Sequence, residues 1–336
     1  MVYSFQLWRH PNIHYREAVL RLGRCELLSM LKSLSVEADI QVEQTGNVSF
    51  FTFESRELSP PELAYLAGHS TLTLMAEKQG IFLRPLSVHS ADPLPEDLPE
   101  ILKYKGKTNP AFTRMMLNTG LALTPFVHQP QPVTVLDPLC GKGTSLFSAL
   151  CMGADAVGID TDRKDLKEAS DFFSRYLKNA GMKHSIRSFS TTAASSGIPG
   201  TSFTFSCSRE NWNAGITQSL TLHAGDSALA SSLLRRHRAH LLVADLPYGI
   251  QHAPQGSTRS EPFGAFLARV LPAWRSALLP GAAAVLSFNT LTLKKAAVAQ
   301  ALSAAGFETV DAPEFSNLSH AVEQAVVRDL VFARVS

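Results

Sequence analysis

A chain of 336 residues is long enough for an α/β domain with a smaller companion, since globular domains usually run ~100–200 residues. Hydrophobic residues make up 45% and charged residues 18%, the balance of an ordinary folded protein, and no apolar run approaches the ~20 residues that a membrane helix needs. The net charge of +2 is too small to establish an anionic partner, because nucleic-acid binders usually display a strongly basic face.

In chain order, the apolar segment Tyr3 to Trp8 predicts a strand, and residues 15–34 carry Ala18, Leu22, Leu27, Leu28 and Leu31 at helical spacing. Residues 40–54 read as a hairpin turning at Thr45-Gly46-Asn47, a short helix is expected from Pro60-Pro61, and a second hairpin turns at Gln79-Gly80. The proline-rich, acidic stretch 91–99 reads as a linker, so a boundary near residue 95 is expected, with an α+β domain over 1–95. Beyond it, strands at 133–136, 155–159, 219–223, 241–245 and 282–287 alternate with helices at 143–152, 163–180, 227–237, 262–278 and 292–304. Closing strands are expected near 307–311 and 325–333. Such alternation predicts an α/β domain over 96–336, a parallel sheet covered by helices on both faces. The Ser/Thr/Gly-rich residues 185–218 interrupt it and read as an insertion, irregular or a small hairpin. Cys25, Cys140, Cys151 and Cys207 lack a CxxC pair or nearby histidine spacing and are expected to be free thiols. The segment MVYSFQLWRHPN lacks the pattern of a secretion signal, so a cytoplasmic location is the expectation.

Four strand ends carry candidate chemistry. In VLDPLCGKGTSLFSAL an apolar strand ends at Asp137 and a helix begins after Gly143-Thr144, the place where open α/β sheets bind ligands. A dinucleotide fingerprint would need glycine or alanine where Leu146 stands, and a P-loop would need its lysine after the last glycine, whereas Lys142 precedes Gly143. Taken alone, the loop reads equally well as a tight strand-to-helix turn. Gly158-Ile159-Asp160 places an acid at the end of the next strand, where a carboxylate takes the hydroxyls of a ribose, while Asp162 reads as a helix N-cap. Asp226 in HAGDSAL reads evenly as an acceptor for an adenine amine or as a cap. In LLVADLPYGI the strand runs into Asp245-Leu246-Pro247-Tyr248, a turn that proline stiffens and that could hold a planar ring on Tyr248 while Asp245 accepts from an amine. Four such sites at consecutive strand ends, in this order, argue against four unrelated turns.

These residues resemble the class I S-adenosylmethionine methyltransferases that modify exocyclic amines, whose signature (D/N/S)-P-P-(Y/F) is matched by D-L-P-Y. More narrowly, DPLCGKGT, GIDTD, GDS and DLPYG resemble the tRNA guanine-N2 methyltransferases that usually carry a THUMP domain. The similarity covers residues 98–250 and, loosely, the closing strands. It implies a Rossmann-like domain with a mixed seven-stranded sheet and S-adenosyl-L-methionine as methyl donor, without a metal. Carried over position by position, it implies that Asp137, Cys140, Gly141, Gly143 and Thr144 meet the methionine part, Asp160 the ribose and Asp226 the adenine. Thr108 and Asn109, in KYKGKTNPAFTRMMLN, fall in the segment that folds over the cofactor, and Asp245, Pro247 and Tyr248 meet the target base. Two positions depart from the family. Leu246 replaces the commoner proline, and the amino-terminal region is shorter than a ferredoxin-like unit plus a full THUMP domain.

The expected function is therefore methyl transfer to a nucleobase amine, guanine N2 of tRNA first. Adenine N6 of RNA or DNA, a protein glutamine, and a cofactor-binding protein without catalysis are the rivals. RNA is the expected partner, with Lys103, Lys105, Lys107 and Arg114 as the phosphate-contacting cluster and the 1–95 unit as a second RNA-binding element. Arg235, Arg236 and Arg238 read as a solvated helix face, and His237 and His240 as incidental.

Overall fold

The computed structural model describes residues 1–9, 13–193, 196–235, 237–247, 261–323 and 326–336. Tyr3, Phe5 and Leu7 alternate along β1 (Val2–Leu7) and are buried, so one face of that strand must be covered. The cover is α1 (Ile13–Ser33), whose Leu27, Met30 and Leu31 join them in one apolar cluster. The strands β2 (Gln41–Thr45) and β3 (Val48–Glu54), the helix α2 (Pro60–Leu66), and β4 (Leu72–Gln79) with β5 (Phe82–Pro85) follow. They form an antiparallel sheet in the order β2-β3-β1-β4-β5. Its first six elements make a β-α-β-β-α-β unit of the split-βαβ kind, extended by β5. The helix after Ser59 starts where expected, with prolines in its first turn and the Ser59 N–H donating to Glu62 Oε2 at 2.7 Å.

The stretch 91–99 is packed rather than free: Leu94 and Leu98, the latter opening the single turn α3 (Leu98–Ile101), are buried against the second sheet's helices. After it come α4 (Pro110–Ala122), β6 (Thr134–Asp137), α5 (Thr144–Cys151), β7 (Asp155–Asp160) and α6 (Arg163–Asn179). A long hairpin, β8 (Lys183–Ala193) and β9 (Ser196–Ser206), precedes α7 (Arg209–Asn213), β10 (Gln218–Ala224), α8 (Ala230–Leu233) and β11 (Ala239–Asp245). The chain closes with α9 (Phe263–Ser276), β12 (Leu278–Asn289), α10 (Lys295–Ala304), β13 (Glu308–Thr309), β14 (His320–Glu323) and β15 (Val326–Arg334). Strands β10, β7, β6, β11 and β12 are parallel neighbours in that order, and β15 and then β13 continue the sheet with antiparallel pairings. These seven strands make the Rossmann-like, mixed arrangement expected, and β9, β8 and β14 extend the sheet to ten. Alternation along β11 explains the layers. Leu241 and Val243 meet Met115, Met116 and Leu117 of α4 on one face, whereas Leu242 and Ala244 meet Leu267, Val270 and Trp274 of α9 on the other.

Of the two readings of 185–218 the structure has the hairpin, longer than a small one: β8 pairs with β9, β9 pairs with β10, and its Phe203 and Phe205 pack edge-on against Phe173 of α6 at 5.2 and 5.3 Å between ring centroids. Two elements differ from expectation. The helix expected over 227–237 is a 3-10 turn, Ser227–Leu229, followed by the single turn α8, because beyond Leu234 no described side chain is buried until Ala239 to sustain it. Helix α4 was not among the expected elements, although Asn109 and Pro110 are an N-cap and first-turn proline.

Helix α4 lies close to the sheet at Gly120, where an added Cβ would come 2.6 Å from Leu241 Cδ1 and 2.8 Å from Val285 Cγ2. Gly120→Ala is thus expected to lower the unfolding free energy by about 1–3 kcal/mol through overpacking, despite alanine's better helix propensity. Urea denaturation with an unchanged m-value would measure it; a stabilised variant would mean that the helix moves off the sheet at no cost. On its other side α4 faces α1 through a buried polar network. Glu26 accepts from Asn118 Nδ2 at 2.6 Å and from the Ser70 N–H at 2.8 Å, with His69 Nε2 3.4 Å away. The amino-terminal sheet is thereby held to the helix that leads into the candidate site.

Candidate active site

Because β6, β7, β10 and β11 are parallel, their carboxyl ends lie along one edge, and this edge gathers Asp137, Asp160, Asp226 and Asp245. Between the first two runs the loop 138–143. Gly141 has φ +47 and Gly143 φ +85, in the left-handed region that side chains disfavour, and a Cβ on Gly141 would meet nothing within 4 Å. The loop is pinned by its neighbour strand: the Gly141 N–H donates to Asp160 Oδ2 at 2.7 Å and the Cys140 N–H to the Ile159 carbonyl at 3.2 Å. Asp160 Oδ1 accepts from the Asp162 N–H at 2.8 Å, and Asp162 caps α6 by accepting from the Lys164 N–H at 2.8 Å.

Asp137 is buried, accepting from Ser145 Oγ and, at 2.9 Å, from the Leu139 N–H. Burial pushes its carboxyl up to about 7, helped by the carboxylates of Asp160 and Asp245 and opposed by those two hydrogen bonds. Thr144 shares a 2.6 Å hydrogen bond with the Tyr104 hydroxyl, and Lys142 Nζ lies 5.2 Å over the Tyr104 ring. The segment before α4 therefore reaches over the glycine loop through Tyr104, a residue the sequence analysis did not single out. Lys142 is also paired with Glu168 at 2.5 Å.

Thr108 and Asn109 belong to the same segment but touch different things. The Thr108 hydroxyl donates to Asp245 Oδ2 at 2.6 Å, and Asn109 Oδ1 caps α4, accepting from the Ala111 and Phe112 N–H groups at 2.8 and 3.3 Å. Asp226 caps the 3-10 turn through the Ala228 N–H at 2.8 Å and pairs with Arg269 at 2.8 Å, which also holds Glu261 at 3.1 Å. A purine amine there would share the Asp226 carboxylate with a guanidinium.

Asp245 is met by donors from three elements. Ser287 Oγ of β12, its parallel partner in register, donates to Oδ1 at 2.8 Å; Thr108 and, at 3.2 Å, Arg328 Nη2 of β15 donate to Oδ2. Ser287 and Arg328 escaped the sequence analysis, though a charge inside the apolar run VVRDLVF was a readable sign. Leu246 is buried, and its N–H donates to the Ser287 carbonyl at 2.8 Å, a ladder bond that a proline at this position could not make. Pro247 is half-buried. Tyr248 lies outside the described residues.

The basic cluster needs correcting. Lys103 and Lys105 are exposed, but Arg114 is largely covered, paired with Asp92 at 2.6 Å and donating from Nε to the Gly68 carbonyl at 2.8 Å, so it ties α4 to the amino-terminal unit. Lys107 is largely buried 3.9 Å from Glu100, and burial pulls its ammonium below the usual range. Neither side chain is presented to a phosphate. Arg235, His237 and Arg238 are exposed, Arg236 lies outside the described residues, and His240 Nδ1 accepts from the Thr134 N–H at 2.9 Å. Cys25, Cys140 and Cys151 are buried free thiols and Cys207 an exposed one. Among the described residues no helix is long and apolar enough to cross a membrane.

No family model and no curated protein matches the chain. Among solved structures it is similar to TrmN from Thermus thermophilus, at 15% identity and a TM-score of 0.41 over 89% of this chain, and it spans 60% of that protein's length. It is also similar to the rRNA methyltransferase aviRa from Streptomyces viridochromogenes, at 14% identity and a TM-score of 0.42, over 70% of this chain and 89% of that one. A further likeness is to the magnesium protoporphyrin IX methyltransferase ChlM from Synechocystis PCC 6803 with bound SAH, at 12% identity and a TM-score of 0.38, over 69% of this chain and 90% of that one.

Proposed function

We propose that this chain transfers a methyl group from S-adenosyl-L-methionine to the exocyclic amine of a nucleobase, guanine N2 of tRNA in the first place. The observation that carries the reading is the Asp245 carboxylate, held at the end of β11 by Thr108, Ser287 and Arg328 on the same edge as the glycine loop and Asp160. The loop fits the donor: the space around Gly141 is open where any side chain would intrude, and the carboxylate of Asp160 stands beside it. Asp137, Cys140, Gly141, Gly143 and Thr144 would hold the methionine part and Asp160 the ribose. Asp226 would take the adenine.

When bound, this donor supplies a methyl group made electrophilic by its sulfonium. The chain's own work is placement. A nucleobase amine is a weak nucleophile because its lone pair is delocalised into the ring. An N–H of that amine donating to Asp245 favours the localised lone pair, and the carboxylate opposes the positive charge that grows on nitrogen as the bond to carbon forms. The surplus proton leaves the nitrogen for solvent afterwards. Pro247 stiffens the turn that presents the base, and stacking on Tyr248 would keep it extruded from its helix. We assign the 1–95 unit to presenting the RNA and Lys103 and Lys105 to its phosphates, in the cytoplasm.

The test gives purified protein labelled S-adenosyl-L-methionine with bulk tRNA, rRNA, DNA and protein, and identifies the product nucleoside by mass spectrometry. N2-methylguanosine in tRNA is the expected product. N6-methyladenosine alone would replace guanine with adenine as the target, and label in protein alone would remove the nucleobase.

A further inference from the structure

We propose that Arg328 is a positioning residue that holds the Asp245 carboxylate in the orientation in which it accepts the substrate amine's hydrogen bond. The proposal rests on the function proposed above and extends it to a residue on the closing strand, 83 positions away from the acid it serves.

Arg328 sits on β15 opposite Asn289 of β12 and His320 of β14, with its side chain 4% exposed. A guanidinium keeps its charge in any protein environment, so burial there is tolerated only with an anion in reach. The neighbouring Asp329 is 3.6 Å from Lys295 and accepts the N–H of Leu330, so it is committed elsewhere. Among the described residues Arg328 meets the carboxylate of Asp245, Nη2 to Oδ2 at 3.2 Å.

The guanidinium is itself held. Its carbon lies 4.8 Å over the ring of Phe112, in the first turn of α4, and the His320 ring packs edge-on against the same ring at 5.3 Å. Burial, together with the charges of Arg328 and Arg21, lowers His320 to about 4, so it is a neutral neighbour at pH 7. Asp245 is thus clamped on both oxygens, Oδ1 by Ser287 and Oδ2 by Thr108 and Arg328. The two hydroxyls are neutral donors, whereas the guanidinium brings a charge whose place is set by the Phe112 ring beneath it. At 3.2 Å its bond is longer than those of the hydroxyls at 2.6 and 2.8 Å, but it is the one of the three that sets a formal positive charge beside the carboxylate. Rotation of the carboxylate away from the amine breaks all three bonds, and Arg328 adds to the two hydroxyls a fixed charge that such a rotation would separate from its anion.

The experiment compares Arg328→Met, Arg328→Lys and Asp245→Asn, singly and as the double variants with Asp245→Asn, on whichever acceptor the unaltered chain methylates. Arg328→Met is expected to lower kcat by about 10²-fold while KM for the acceptor stays within about threefold. Cofactor Kd by calorimetry should also stay within about threefold. Arg328→Lys should recover part of the loss, because it restores the charge but not the fork. In the Asp245→Asn background, Arg328→Met should cost nothing further, which a merely structural role would not predict. If Arg328→Met does not fold, Arg328→Lys alone carries the cycle. A kcat within about threefold of the unaltered chain, or an equal loss in the Asp245→Asn background, overturns the role of Arg328 and leaves the proposed function standing. No transfer by the unaltered chain to RNA, DNA or protein overturns both.

Discussion

Replacing Asp245 is expected to abolish most turnover while sparing the cofactor. Asp245→Asn should lower kcat by about 10²–10³-fold, the usual cost of losing one preorganised electrostatic partner of the transition state. Cofactor affinity measured by calorimetry should change by less than about threefold, since the acid does not belong to the glycine loop. Asparagine is the cleaner substitution. Both Asn and Ala take the anion from buried Arg328, and removing one member of a buried pair costs about 3–5 kcal/mol, but the amide keeps an acceptor oxygen for the guanidinium and the hydroxyls where Ala leaves none, so urea unfolding is measured beside turnover. Asp160→Ala should behave in the opposite sense. The N–H groups of Gly141 and Asp162 lose their shared acceptor, the loop loosens, and the cofactor is held less tightly. Weak cofactor binding in Asp245→Asn with normal binding in Asp160→Ala would mean that the two strand ends have each other's role.

Both acids were legible in the sequence for one reason: each ends an apolar run whose length and composition mark a buried parallel strand, and the alternation with helices sets which end is common. Sheet order could not be read so directly, and the partners of Asp245 depend on it. Ser287 and Arg328 reach it only because β12 lies beside β11 and β15 beside β12, so their distance in sequence carries no hint. The same blindness misplaced Arg114 and Lys107, which looked like a basic surface because Asp92, Gly68 and Glu100, their partners, are invisible as partners in a linear reading. The hairpin β8–β9 was one of two readings that composition left open. Its small hydroxyl residues resemble a loop by composition, while the alternation that buries Phe203 and Phe205 under α6 marks it as a strand. At Leu246 a family comparison sees a substitution, whereas the ladder bond to Ser287 accounts for a residue with an N–H.

The second large effect concerns Asp137 and pH. Its carboxyl is raised from 3.8 to about 7, chiefly by burial, so between those values the folded chain holds a proton that the unfolded chain has lost. The stability linked to that proton is fully present below pH ~4 and is lost as pH rises to about 7. At ~1.4 kcal/mol per pH unit over a window of roughly three units, the loss is on the order of 4 kcal/mol. His223 and His320, both lowered to about 4 by burial, act the other way. The unfolded chain takes their protons first, so they make stability rise between about pH 4 and their ordinary value near 6.5. The two effects overlap and partly cancel, which makes the profile of the unaltered chain uninformative by itself. The difference against Asp137→Asn isolates the acid. The amide keeps an acceptor for the Leu139 N–H and has no proton to lose, so this variant should gain stability relative to the unaltered chain as pH rises from 4 to 7, and should remain ahead at pH 8. Urea unfolding at half-unit intervals would show it, and parallel profiles for the two chains would refute the buried carboxyl as the cause. On the proposed function the variant should also lose cofactor affinity, because a cation entering beside Asp137 expels its proton and gains a carboxylate partner. Calorimetry near pH 7 in two buffers of different ionisation enthalpy should then detect proton release on binding in the unaltered chain and none in Asp137→Asn. A strand-end acid that costs the protein stability at neutral pH and recovers it by pairing with a cation is what a binding residue, rather than a structural one, is expected to be.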